Sequence, residues 1–269
     1  MKQKVVLITG GASGIGKSIG TYLKANNFIV YGTTRSLKKY PDFNAFNLLE
    51  LDVANVESIS IAVTDLLSKE GRLDVLINNA GVGITGAIEE TPHGEILNAF
   101  CTNFHGPLHM MKSVLPQMRR QKSGLIINIT SIAGYMGLPY RGVYSASKGA
   151  LEIVTEAIRM EVKDFGVHVT NLAPGDFATN IAAGRYHVPV LEGSPYKKPY
   201  GNTLEMMNTH VNSGQDPIQV AKKVLKIINT KKPKVHYKVG VFMQKFSLFL
   251  KKILPDKVYE QLLLNHYKL

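Results

Sequence analysis

The sequence predicts an α/β protein built on a single doubly wound parallel sheet with helices on both faces, followed by a C-terminal helical extension. Three observations predict it. Short apolar runs alternate with helix-length segments, the first run ends in a glycine-rich turn that opens a helix, and no linker, repeat or low-complexity tract interrupts the first 175 residues. The runs are continuously apolar rather than alternating, as strands covered on both faces require.

The expected strands are VVLIT at 5–9, FIVYGT at 28–33, LLELDV at 48–53, DVLINNAG at 74–81, GLIINITS at 124–131 and VHVTNLAPG at 167–175. Ligands of such a sheet bind at the carboxyl ends of its strands. After Pro174 the pattern loosens into glycines and prolines interleaved with Tyr186, Tyr196, Tyr200, Met206 and Met207, a composition that suits a substrate lid over 180–215. Helical pattern resumes near Asp216, which has the chemistry of an N-cap, and the run at 234–239 reads as a last strand. Residues 1–240 thus read as one nucleotide-binding and catalytic domain, and 241–269 as a basic amphipathic extension. In that extension Phe242, Phe246, Phe249, Leu250 and Ile253 share a helical face, with Lys245 and Lys252 elsewhere.

A hydrophobic content of 45% in 269 residues can fill a sizeable core, which excludes disordered and fibrous classes. No stretch approaches the roughly 20 apolar residues of a membrane span, and the N-terminus has no signal-peptide profile, so a cytoplasmic protein is expected. The single cysteine, Cys101, excludes an intrachain disulfide. The net charge of +12 is concentrated: from Lys222 onward twelve lysines face two acids, a local charge of +10. A basic tail on a near-neutral body argues against a nucleic-acid-binding protein and for local contact with an anionic surface such as lipid headgroups, or simply for a solvated lysine-rich face. Packing of the tail on the body is the first expectation, and peripheral membrane contact the second.

TGGASGIG at 9–16 lies where the first strand gives way to a helix, placing Gly10, Gly14 and Gly16 in a tight crossover. Glycines there admit backbone angles closed to other residues and let a pyrophosphate approach the helix N-terminus, with its free N–H groups and positive dipole end. Glycines also make ordinary turns, so position carries the reading. At the end of the second strand an acid would favour a free ribose 2′-hydroxyl; Thr33, Thr34 and Arg35 stand there instead, with Ser13, Lys38 and Lys39 nearby. A guanidinium at that point favours a 2′-phosphate, hence NADP(H) over NAD(H).

Tyr144 and Lys148 are one helical turn apart in YSASKGALEIVTEAIRMEV and project from one face. A free phenol ionises near pH ~10, and an adjacent ammonium favours the phenolate, bringing it toward use as an acid/base. Ser131, at its strand end, is placed to hydrogen-bond a substrate oxygen as charge develops. Alone, a Tyr-x-x-x-Lys pair is a common structural accident. Cys101, His105 and His109 recur every four residues, but the outer two lie about 12 Å apart at helical rise, too far to share an ion, so no metal is expected.

Taken together these segments resemble the short-chain dehydrogenase/reductase family, in order and spacing, over roughly residues 3–230. The resemblance rests on the glycine motif at 9–16, NNAG at 78–81, NFHGP at 103–107, NITSIAG at 128–134, YSASK at 144–148 and PGDFAT at 174–179. It implies a Rossmann-type fold and a catalytic set of Asn103, Ser131, Tyr144 and Lys148. Tyr144 would move the proton, Lys148 would lower its pKa and grip the nicotinamide ribose, and Asn103 would help place a proton-relay water. It also implies a cofactor cleft lined by Gly10, Ser13, Gly14, Ile15, Gly16, Arg35, Asp52, Val53, Asn78, Ala80, Gly81, Pro174, Gly175 and Thr179, and a homodimer or homotetramer. MGLPYRGVYSASK at 136–148, with the basic extension, looks like the hydroxysteroid and retinol dehydrogenase subgroup, implying an apolar steroid-, retinoid- or lipid-like carbonyl or alcohol. The alternative from another class is a cofactor-binding sensor or scaffold with a lipid-associating tail.

Overall fold

Alternate side chains of the first strand, β1 (Val5–Ile8), enter opposite cores, which is the physical meaning of its continuously apolar sequence. Val5 and Leu7 join one buried cluster, Val6 and Ile8 the other. In the computed structural model, which describes residues 2–177, 184–212 and 214–269, the same division runs across the main sheet.

The strands and helices follow the expected alternation except between the second and third strands, where the connection holds only a 3₁₀ turn, Leu37–Lys39, and no α-helix. After β1 come α1 (Gly14–Ala25), β2 (Ile29–Thr34), β3 (Asn47–Glu50), α2 (Val56–Glu70), β4 (Val75–Asn78), β5 (Ile84–Thr85), α3 (His93–Phe100), α4 (Gly106–Gln121), β6 (Gly124–Ile129), α5 (Gly142–Glu161) and β7 (Val167–Pro174). Then follow β8 (Tyr186–His187), α6 (Lys197–Asn212), α7 (Ile218–Ile228), β9 (His236–Val239), α8 (Phe242–Ile253) and α9 (Asp256–Tyr267). Seven strands form one parallel sheet in the order β3-β2-β1-β4-β6-β7-β9, while β5 and β8 pair separately. Ile59, Leu66, Met110 and Val114 of α2 and α4 cover one face, and Ile19, Leu23, Val220 and Val224 of α1 and α7 cover the other.

Strand order reverses between β1 and β4, so the chain leaves these neighbours in opposite directions and opens a crevice at their carboxyl ends. β3 stops at Glu50, three residues short of the expected run, and this leaves Asp52 and Val53 on the loop beside that crevice. α7 begins two residues after Asp216, whose carboxylate accepts the Ile218 N–H at 2.9 Å.

The C-terminal extension packs back on the body. Leu248 and Tyr259 are buried with Ile132, Met136 and Ala173, and the Tyr259 hydroxyl donates to Met136 Sδ at 3.0 Å. Leu248 and Gln244 form the docked side of α8; the stripe Phe242, Phe249 and Ile253 points to solvent.

Leu76, fully buried in the central strand β4, is a direct test of this core. Leu76→Ala should lower unfolding free energy by about 2–5 kcal/mol in urea titrations. A change below about 1 kcal/mol would mean that the site can collapse as no close-packed sheet core does.

Candidate active site

The crevice is a cleft of about 520 Å³ running from the glycine turn to the start of α5. Its phosphate end follows from local backbone needs. Gly14 opens α1 with φ +53°, in the left-handed region, and a Cβ on Gly16 would lie 2.3 Å from the Gly10 carbonyl oxygen. The turn therefore closes tightly and presents the α1 N-terminus to the cleft, lined there by Gly10, Ala12, Ser13, Gly14 and Ile15. Gly16 shapes the turn from behind rather than lining it. At the β2 end the lining comprises Thr34, Arg35, Ser36, Lys39 and Tyr40, a cationic corner; Lys38 is not part of it. Asp52 and Val53 line the adjoining wall, where Asp52 Oδ1 accepts the Ala54 N–H at 2.9 Å.

The middle of the cleft is built from the ends of β4, β6 and β7. Ala80, Gly81, Pro174 and Gly175 line it. Asn78 does not, contrary to expectation: its side chain is buried in the sheet and donates to Asn128 Oδ1 at 2.8 Å. As the last residue of β4 it points into the core, and the next residue, Asn79, lines the cleft and ties its amide to the Thr9 carbonyl at 2.9 Å. Thr179 lies outside the described residues.

Ser131, Tyr144 and Lys148 all line the cleft at its other end. Ser131 lies two residues past the end of β6, and its Oγ accepts the Ala133 N–H at 3.2 Å, which fixes the side chain at the start of a short 3₁₀ turn. Tyr144 and Lys148 lie one turn apart on the buried side of α5. Lys148 Nζ donates to the Ile129 carbonyl at 3.0 Å, and a Cβ on Gly81 would stand only 3.2 Å from that nitrogen. Glycine at 81 thus leaves room for the lysine head.

Burial pulls the Lys148 pKa down to about 8, against an upward pull from Glu152 one turn further along α5. Glu152 is itself buried, accepting from the Thr130 hydroxyl, the Tyr135 hydroxyl at 2.8 Å and His236 Nδ1 at 2.9 Å. Burial, then Glu152, raises the Tyr135 pKa well above the ordinary phenol range.

Asn103 sits in a π-helical turn, Cys101–His105, between α3 and α4, and is fully buried. Its Oδ1 accepts the Val82 N–H at 2.8 Å, and its Nδ2 donates to the Val82 carbonyl at 2.9 Å and to Ser147 Oγ at 3.1 Å. Ser147 in turn donates to the Tyr144 carbonyl at 2.8 Å. Asn103 does not line the cleft; it pins the loop after β4 to the first turn of α5.

Two arginines that sequence reasoning passed over stand beside Tyr144. The Arg141 guanidinium lies over the Tyr144 ring, 5.4 Å from its centroid. Its predecessor Tyr140 holds φ +58°, a strained angle for a bulky residue, packed against the rings of Tyr200 at 5.3 Å and Tyr196 at 6.5 Å. Arg185 lines the same end; burial and then Arg141 lower its pKa, and its Nη1 has no hydrogen-bond partner among the described residues. No local motif marks these arginines, because the fold alone brings residues 141 and 185 together. Gln244 of α8 likewise donates to Asp176 Oδ2 at 2.6 Å and packs on Gly175, bracing the cleft wall from the extension. None of Tyr186, Tyr196, Tyr200, Met206 and Met207 lines the cleft; Tyr200 and Met207 are buried instead.

Comparison with known proteins adds the following. The family model described as short chain dehydrogenase matches residues 4–187. A 3-ketodihydrosphingosine reductase of Bacteroides thetaiotaomicron is 39% identical over 269 residues, covering 99% of each chain. The dehydrogenase/reductase SDR family member 7B of Danio rerio is 32% identical, over 87% of this chain and 77% of its own. Among solved structures, a short-chain dehydrogenase from Streptomyces avermitilis superposes with a TM-score of 0.82 at 31% identity, over 100% of this chain and 97% of that one. ElxO with NADP bound gives 0.71 at 27% identity, over 88% and 98%.

The depressed Lys148 pKa has a sign that can be read. Below about pH 8 the group is an ammonium, and above it a neutral amine that no longer favours an adjacent phenolate. kcat/KM for the reduced dinucleotide, which reports ionisations of the free protein, should therefore be level below about pH 8 and fall above it. A profile still level at pH ~10 would remove Lys148 from that role.

Proposed function

The chain belongs to the short-chain dehydrogenase family and is an oxidoreductase acting on CH–OH donors, and from that premise we propose an NADP(H)-dependent reductase that interconverts a lipid-like ketone and its alcohol. The observation that carries the reading is the convergence of Ser131, Tyr144 and Lys148 on one end of a cleft whose other end is the glycine turn and Arg35.

The residues present fit the dinucleotide. A crossover too tight for a Cβ on Gly16, opening onto a helix N-terminus, suits a pyrophosphate, and Arg35 with Lys39 suits a ribose 2′-phosphate. Asp52 and Val53 would face the adenine, and Ala80, Gly81, Pro174 and Gly175 the remaining length. The nicotinamide, when bound, supplies or accepts the hydride. In the reductive direction Tyr144 gives its hydroxyl proton to the carbonyl oxygen as the carbonyl carbon is reduced, and Lys148 stabilises the phenolate left behind. Ser131 hydrogen-bonds the same oxygen as it gains charge. Asn103 acts as a positioning residue, through Val82 and Ser147, for the loop and helix turn that carry these groups.

The name of the 39% identical relative supports a long-chain ketone with polar neighbours, and Arg141 and Arg185 offer donors to oxygen atoms beside the reacting carbon. Exposed Ile153 and Met160 on α5 support association of copies through that helix.

Tyr144→Phe should lower kcat for ketone reduction by about 10²- to 10⁴-fold, read at 340 nm, while NADPH binding by fluorescence stays unchanged. Retained turnover would overturn the assignment of the proton to Tyr144. If the wild-type protein binds NADPH but oxidises none with long-chain 3-keto sphingoid, steroid, retinoid or small ketones, a sensor or scaffold takes its place.

Coenzyme choice has its own test. Arg35→Ser should raise KM for NADPH by about 10- to 100-fold and leave KM for NADH nearly unchanged. Equal effects on both coenzymes would show that Arg35 does not meet the 2′-phosphate.

A further inference from the structure

The helix α8 is amphipathic in the wrong sense for a helix that only packs on its own protein. At 3.6 residues per turn, Phe242, Phe246, Phe249 and Ile253 fall within about 60° of one another. Most of that stripe faces solvent: Phe242 is 70% exposed, Phe249 54% and Ile253 57%, with Met243 beside it at 67%, while Phe246 between the other two rings is half-buried. The opposite side is the docked one, with Leu248 buried and Gln244 bonded to Asp176. The three rings stack along the outer face, with centroids 5.6 Å apart between Phe242 and Phe246 and 6.0 Å between Phe246 and Phe249. Lys245 and Lys252 flank the stripe and are exposed.

We propose that this outer face of α8 is a docking surface for an anionic lipid bilayer, lying in the interface with its phenylalanines in the acyl boundary and its lysines at the headgroups. The occupant follows from charge. The chain from Lys222 to the end carries +10, so a second copy seated on the same face would bring like charges together, whereas an anionic membrane neutralises them. An aromatic stripe with lysines at its border is the pattern of an interfacial helix. Among the described residues no helix is long and apolar enough to cross a membrane, so the contact is with the surface. The same helix braces the cleft through Gln244, so docking would hold the bilayer within one helix width of the site. The inference adds a source for a lipid-like ketone, but membrane binding stands or falls independently of turnover.

The test is flotation of the full chain with vesicles of mixed phosphatidylglycerol and phosphatidylcholine, and with phosphatidylcholine alone. The wild-type chain should float with the anionic vesicles and much less with the neutral ones, and high salt should weaken the binding. The double variants Phe242→Ser/Phe249→Ser and Lys245→Glu/Lys252→Glu should each reduce the bound fraction by about tenfold or more. Unchanged circular dichroism and NADPH binding would establish that they remain folded, and their NADPH oxidation with a water-soluble ketone should match the wild type. Failure of the wild type to float with anionic vesicles would overturn the proposal, as would variants that float equally well. So would a dimer in sedimentation that the phenylalanine variant converts to a monomer, because a second copy would then own the face.

Discussion

A buried ammonium is the constraint around which the site is organised. Lys148 is almost wholly removed from water, and burial, partly opposed by Glu152, pulls its pKa down to about 8. Keeping a charge there requires partners, and the fold supplies a carbonyl from the end of β6, a carboxylate one turn along α5, and a glycine at 81 where any side chain would crowd it. Glu152 is held in turn by groups from three further places: Thr130 past β6, Tyr135 in the following turn and His236 on β9. The last strand of the sheet thus takes part in setting the charge of a group on a helix far earlier in the chain.

The fold was largely legible because its signals are local. Continuous apolar runs, a glycine turn at the first crossover and helical spacing after most strands are all written within windows of a few residues, and β1, β2, β4, β6, β7 and β9 fall where those windows put them. Much of the site was legible for the same reason. Tyr144 and Lys148 need only helical periodicity to share a face, and Ser131 needs only to follow closely on a strand's carboxyl end.

What sequence left hidden depends on direction or on distance along the chain. Asn78 and Asn79 are neighbours of identical chemistry, and only the pleat decides that the first meets Asn128 in the core and the second reaches the cleft. Asn103 carries an amide suited to many tasks; the π-helical turn gives it to Val82 and Ser147 rather than to the cleft. Arg141 is aimed by a left-handed Tyr140 that is packed against aromatic rings sixty residues later, a contact no motif encodes. Of the tyrosines expected of a lid only Tyr200 is buried, while Tyr196 bonds Glu89 at the surface, and the end of the cleft beside Tyr144 is lined by two guanidiniums.

The extension shows why amphipathicity alone does not say which side is inside. The sequence of α8 has an obvious apolar face, and burial of that face would be the default for a surface helix. The structure buries the narrower side instead, because Gln244 finds Asp176 and Leu248 finds the pocket between Ile132 and Ala173. Two demands then act on one helix: its inner side shapes the cleft, with Tyr267 of the following helix beside Arg141, and its outer side carries the exposed rings. An outward stripe of this size costs solvation that a purely structural brace need not incur, since serine or lysine at 242 and 249 would leave the inner contacts intact. The cost is offset only if something apolar covers the stripe, and a local charge of +10 narrows what that can be.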